Sequence, residues 1–210
     1  MSYAPILSQD PFPEIAAPLE EACAPLPRDV AAAVAFALSR RRDGDARPVL
    51  VTAPRAWFVE YGRPYGPGVP GVPLILAPAA SLAEALWVME QGLRSGAVEG
   101  ATLTQSRRLE FAARHGGAVG VILSRNLEGL SAARRRWRVS VFASRGDADD
   151  PRAPGQARLQ AELVRSRGER PGAWILEQDD ETHRLRLADR LAGVRPAAIA
   201  GTGAPSGLAA

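Results

Sequence analysis

At 210 residues, with 46% apolar and 23% charged residues, the chain has ordinary globular composition and is long enough for one domain with tails and a sizeable core. Its formal net charge of +3 permits contact with nucleic acid without demanding it. The single cysteine, Cys23, excludes an internal disulfide or a cysteine zinc cluster; the absence of a long apolar run or a signal-peptide pattern points to a cytoplasmic protein with no membrane partner.

Lysine is absent: all 26 Lys-or-Arg positions are arginine. Codon bias accounts for this as composition, since Ala, Gly and Pro are also abundant. It still bears on function, because a phosphate loop uses a compact lysine charge that the planar arginine fork does not replace.

Residues 1–13, with Pro5, Pro11 and Pro13, predict an irregular segment. A short apolar piece at 14–17 ends at Pro18, and two more prolines fall within 19–27. Val30, Val34 and Leu38 recur at helical spacing and predict a helix with Arg40, Arg41 and Arg42 in its last turn, stopped by Asp43-Gly44-Asp45. Residues 48–53 and 74–77 read as buried strands, separated by the turn-rich stretch 66–73. Ser81 and Glu84 form a capping box for a helix that Gly96 closes. A strand at 97–103, a helix at 106–117, a strand at 118–123 and an alternating strand from Trp137 follow. Beyond the polar loop 145–155, strands at 157–167, 172–178 and 182–188 predict a β-meander, and the Ala/Gly/Pro tail from Ala192 predicts disorder. The expected organisation is an irregular segment (1–13), an α/β core (14–144), a meander (145–191) and a tail (192–210). The expected fold is a mostly parallel sheet flanked by helices and extended by C-terminal antiparallel strands.

The run Arg94-Ser95-Gly96-Ala97-Val98, placed between a helix and a strand, resembles the RecA-type core. With RRRWRV (134–139) and RPGAWILE (170–177) following in order, residues 14–187 resemble the ImuA family, RecA/SulA-related accessory proteins of bacterial mutagenesis cassettes. The resemblance implies a RecA-like fold and a role in damage-induced (SOS) translesion synthesis. It implies as partners ImuB, a Y-family-like protein, and an error-prone replicative-type DNA polymerase, with RecA and single-stranded DNA as further candidates.

The family's phosphate loop would fall in LEEACAPLPRD (19–29), which has no glycine or lysine and carries Glu20 and Glu21, expected to repel a triphosphate. Pro54 stands at the catalytic glutamate position. The Walker B aspartate would fall at 99–102, where Glu99 is not assigned to metal binding. Composition bias does not remove glycines from a chain with 20 of them. A degenerate ATPase fold with no enzymatic activity, cofactor or metal is therefore expected. Two other readings stand: a single-stranded DNA-binding RecA-like module, and a SulA-like cell-division inhibitor.

Arg134, Arg135, Arg136, Trp137 and Arg138 form the densest basic cluster, a candidate DNA contact; the alternative is a strand entry with Trp137 in the core. Arg107 and Arg108 are a second DNA candidate or an ordinary exposed helix start. Trp57, Phe58, Tyr61, Tyr65 and Trp174 are candidates for a partner surface, and core packing explains most of the rings equally well. Asp179, Asp180, Glu181 and His183 read as a turn before they read as a metal site. Cys23 reads as a small buried residue and His115 as a helix C-terminal cap.

Overall fold

The computed structural model describes residues 7–8, 10–42, 44–69, 71–96, 99–102 (backbone only), 107–144, 146–147, 149–150, 152–179 and 184–188. These form nine strands: β1 (Leu19–Cys23), β2 (Val49–Pro54), β3 (Leu74–Ala79), β4 (Glu99–Thr102), β5 (Gly120–Ser124), β6 (Arg135–Phe142), β7 (Arg158–Ser166), β8 (Gly172–Gln178) and β9 (Leu185–Leu187). The helices are α1 (Val30–Ser39), α2 (Arg55–Tyr61), α3 (Leu82–Ser95) and α4 (Arg107–Gly116).

All nine strands join one sheet in the order β3-β2-β4-β5-β1-β6-β7-β8-β9. Pairing is parallel from β3 to β6 and antiparallel from β6 to β9. The chain thus adopts the expected α/β architecture, with a mainly parallel six-strand sheet flanked by helices and antiparallel strands continuing it at one edge. The tail from Ala192 and the residues Asp180, Glu181 and His183 lie outside the described residues.

β1 is the central strand that the sequence did not announce. Its five residues are all buried, although two of them are glutamates. Strand alternation puts Glu20 and Ala22 on one face of the sheet and Leu19, Glu21 and Cys23 on the other. The first face packs Ala22, Val119, Val121, Trp137, Val139 and Leu163 against Ala32, Ala33 and Phe36 of α1. Alanines on that side of the helix let its axis approach the strands. The second face packs Leu19 and Ile122 against Met89 and Leu93 of α3 and Leu109, Ala112 and Ala113 of α4. A third cluster sets Val49, Val51 and Ala53 of β2 under Phe58 of α2.

α3 starts as its sequence predicts. The Ser81 hydroxyl accepts from the Glu84 N–H at 3.2 Å, while the Glu84 carboxylate reaches past the Ser81 N–H of a strict capping box to accept from the Ala80 N–H at 2.6 Å. It ends at Gly96 in the left-handed region, φ 65°. There α3 and α4 meet with no room for a side chain: a Cβ on Gly116 would stand 1.9 Å from the Leu93 carbonyl oxygen.

α1 departs from its sequence pattern. The core takes Ala32, Ala33 and Phe36, whereas Val30, Val34 and Leu38 are only half-buried. Arg40 does not serve a solvated last turn; it is buried and points into the sheet.

Candidate functional site

The tandem Glu20-Glu21 of β1 stands in register against the tandem Arg135-Arg136 of β6. On the α1 face, the Glu20 carboxylate accepts from the Ala17 N–H (2.8 Å), Arg40 Nε (2.9 Å) and NH2 (3.1 Å), Arg135 NH1 (2.9 Å) and the Trp137 indole N–H (2.9 Å). The Arg40 guanidinium also lies 5.2 Å from the Phe12 ring centroid and 5.7 Å from those of Phe36 and Trp137, within cation–π range. On the opposite face, Arg136 Nε donates to Glu21 at 2.9 Å. Arg135 reaches on to Glu169, which also accepts from the Ser166 hydroxyl. The hydrogen bond from Arg135 lowers the Glu169 pKa to about 2, against a partial opposing effect of burial and with help from Ser166.

This corrects the reading of RRRWR as a DNA-facing cluster. Arg135, Arg136 and Trp137 are interior residues, because two buried carboxylates on the neighbouring strand require them. Arg138 pairs with Glu162 at 2.7 Å, and Arg134, also exposed, forms no ion pair among the described residues but lies close enough to Glu169 to help lower its pKa. Likewise Glu20 and Glu21 lie inside a strand, neutralised, and not in a loop where they could repel a triphosphate. Arg107 is exposed at the start of α4, and Arg108 pairs with Glu90 at 2.9 Å.

The segment in the phosphate-loop position is therefore 24–29, between β1 and α1. Three of its backbone N–H groups are engaged, Ala24 with the Ser124 carbonyl (3.0 Å), Leu26 with the Asp29 carboxylate (3.2 Å) and Asp29 with the Leu26 carbonyl (2.9 Å), and the Val30 N–H that follows donates to the Pro27 carbonyl. Pro25 and Pro27 have none to give. The Asp29 carboxylate, buried at the start of α1, also accepts from the Val141 N–H at 3.0 Å. Asp29 thus sets a negative charge at the start of α1, although its carboxylate makes no hydrogen bond to the helix's own first N–H groups. Pro54 ends β2 and precedes α2.

Beside this segment a groove opens between α1, α2 and the turn after α2, with a cavity of about 450 Å³. Val30, Val34 and Leu38 form one wall and Trp57, Tyr61, Tyr65 and Val69 the other, with Arg28 and Arg63 at the rim. A separate, smaller lobe of about 90 Å³ shares Val30, Trp57 and Tyr61 with it and is lined further by Ala24, Leu123 and Arg125 at the ends of β1 and β5. Arg125 closes that lobe, donating to the Tyr61 hydroxyl at 2.6 Å and to Glu60 at 3.3 Å.

Three of the five rings expected at a partner surface thus come together. Trp57 packs edge-on to Phe58 and lies 5.4 Å from Tyr61 by ring centroid, and Tyr65 is 75% exposed. The other two are core. Phe58 is buried under β2, and Trp174 joins Phe12 and Trp137 in an aromatic cluster, its indole N–H donating to the Asp10 carbonyl at 2.9 Å. The Val30, Val34 and Leu38 stripe was visible in the sequence as periodicity but not as a groove wall. Cys23 is buried, and burial raises its thiol pKa, which fits an inert packing residue. His115 stacks on Phe111 in the last turn of α4. Among the described residues no group of three or more His, Cys, Asp or Glu is placed to hold a metal ion, and no helix is long and apolar enough to cross a membrane.

Fold and groove define a mixed α/β protein whose sheet carries an apolar cleft at the carboxyl ends of its central parallel strands. The chain is similar to Protein ImuA: it is 34% identical over 148 residues to that protein in Caulobacter vibrioides strains NA1000/CB15N and ATCC 19089/CIP 103742/CB 15, covering 60% of this chain. It spans 60% of the length of those curated relatives. No family model matches the chain. Among solved structures, SulA from Pseudomonas aeruginosa is similar at 23% identity with a TM-score of 0.37, over 51% of this chain and 98% of that one.

Proposed function

We propose that this chain is a non-catalytic adaptor in damage-induced mutagenic DNA synthesis, holding a Y-family-like ImuB protein and an error-prone replicative-type polymerase. The groove takes a segment of one of these partners. The observation that carries this reading is what stands at the carboxyl ends of β1 and β5. In open α/β sheets ligands bind in that crevice. Here the segment that would cradle phosphates has no glycine, two prolines and most of its N–H groups engaged internally, and the space beside it is walled by aliphatic and aromatic side chains. Such a surface suits a protein segment with apolar anchors better than a nucleotide. Relationship to Protein ImuA supports the pathway.

Two measurements test it. Titration with ATP and Mg²⁺ should give no saturable binding, and co-expressed ImuB should co-purify with the chain. Nucleotide hydrolysis, or failure of ImuB to co-purify, would remove the adaptor reading.

A further inference from the structure

Four arginines converge on the corner of the sheet where β6 begins and β7 ends. Arg134 precedes β6, Arg165 lies in β7 opposite Arg136, and Arg167 and Arg170 belong to the turn into β8. The Arg167 N–H donates to the Arg134 carbonyl at 3.1 Å. The Arg134 guanidinium lies over the turn, 3.6 Å from where a Cβ on Gly168 would stand. All four residues are exposed.

The carboxylates near them are already engaged. Glu169 is bonded to Arg135 and Ser166, and Glu20 and Glu21 are buried against Arg40, Arg135 and Arg136. Arg94, Arg108, Arg114, Arg138 and Arg186 each face a carboxylate elsewhere on the surface. Among the described residues, none is ion-paired with Arg134, Arg165, Arg167 or Arg170; Arg134 is near enough to Glu169 to help lower its pKa, but the hydrogen bonds of Glu169 go to Arg135 and Ser166.

We propose that this corner binds the phosphate backbone of nucleic acid without reading its sequence. Guanidinium forks bind phosphate bidentately and are weakly hydrated, so they give up solvent readily to do so. Arg165 lies near the end of β7 and Arg167 in the bend that follows it, and Arg134 extends the group across to the start of the neighbouring strand. A row of like charges on paired strand ends fits a polymer of regularly repeating negative charge. The segment 165–170 and Arg134 offer no aromatic ring for base stacking, so binding rests on phosphates. This surface is separate from the groove, so each can fail alone.

The test is fluorescence anisotropy of the full chain with labelled oligo-dT and with a labelled duplex, across a salt series. Four phosphate contacts on a single strand give a log–log salt slope near −3, and about a 50-fold loss of affinity between about 50 and 200 mM salt. Arg165→Glu with Arg167→Glu should flatten the slope by at least about 1.4. Arg55→Glu with Arg152→Glu makes the same charge change at the opposite ends of strands and should leave the slope unchanged. Both pairs are checked for an unaltered unfolding midpoint. The ratio of oligo-dT to duplex affinity tells which form is held. Three results would each overturn the proposal: no binding of wild type at about 50 mM salt, equal loss in both variant pairs, or tighter binding of a polyglutamate peptide, which would assign the corner to an acidic protein segment.

Discussion

Glu20→Ala should come close to unfolding the protein. The wild-type carboxylate is fully buried and satisfies Arg40, which is 2% exposed, Arg135, the Trp137 indole and the Ala17 N–H together. Removing one member of a buried ion pair costs about 3–5 kcal/mol, because the remaining charge is left uncompensated. The orphaned indole N–H adds about 1–3 kcal/mol. Arg40 keeps the Pro13 carbonyl at 2.8 Å and Arg135 keeps Glu169, which places the sum nearer the low end, at roughly 4 kcal/mol. A domain has about 5–15 kcal/mol in all. Urea denaturation followed by tryptophan fluorescence reads the difference, and soluble yield at low temperature reads it where the variant is too unstable to titrate. Glu20→Met combined with Arg40→Met and Arg135→Leu should be markedly more stable than Glu20→Ala alone, since the one charge it strands, Glu169, is part-exposed to solvent. A loss below about 1 kcal/mol for Glu20→Ala would refute the view that the Glu–Arg lattice holds β1 in the centre of the sheet.

Gly116→Ala should destabilise by about 1–3 kcal/mol despite alanine's better helix propensity, because its Cβ meets the Leu93 carbonyl oxygen; thermal unfolding should show a midpoint lower by several degrees. Glu169 titrates lower in the fold, at about 2, than its ordinary value of 4.5, so its contribution is full above pH ~4.5 and is lost as pH falls toward 2. Glu169→Gln should therefore flatten the acid limb of the urea midpoint against pH over that window, without changing its shape near neutrality.

The parallel core and its antiparallel extension could be read because β2, β3 and β5 are apolar runs and α3 carries a full set of start and stop signals. β1 could not, because LEEAC has neither the alternation nor the apolar run of a strand. The signal that would have found it is non-local: two adjacent acids at 20–21 and two adjacent bases at 135–136, which parallel pairing brings side by side. Taken alone, RRRWR looks like a surface made for phosphate; only the register reveals it as the counter-charge of a buried strand. The same limit applies to Trp174, which belongs to the core because its indole finds the Asp10 carbonyl. The aromatic groove is half legible, since Trp57, Tyr61 and Tyr65 stand out as rings, but Val30, Val34 and Leu38, the facing wall on α1, show in sequence only the periodicity of an ordinary apolar stripe.

The adaptor reading is tested most directly by measuring the affinity of purified ImuB for the wild-type chain and for the Tyr65→Ala and Val34→Asp variants. Tyr65 is 75% exposed and Val34 half-buried in the groove wall, so neither change should alter the fold beyond about 1 kcal/mol of unfolding stability. A loss of tenfold or more in affinity for each variant, with unfolding midpoints near wild type, is the expected result. Unchanged affinity in both would show that the groove is not where the partner docks.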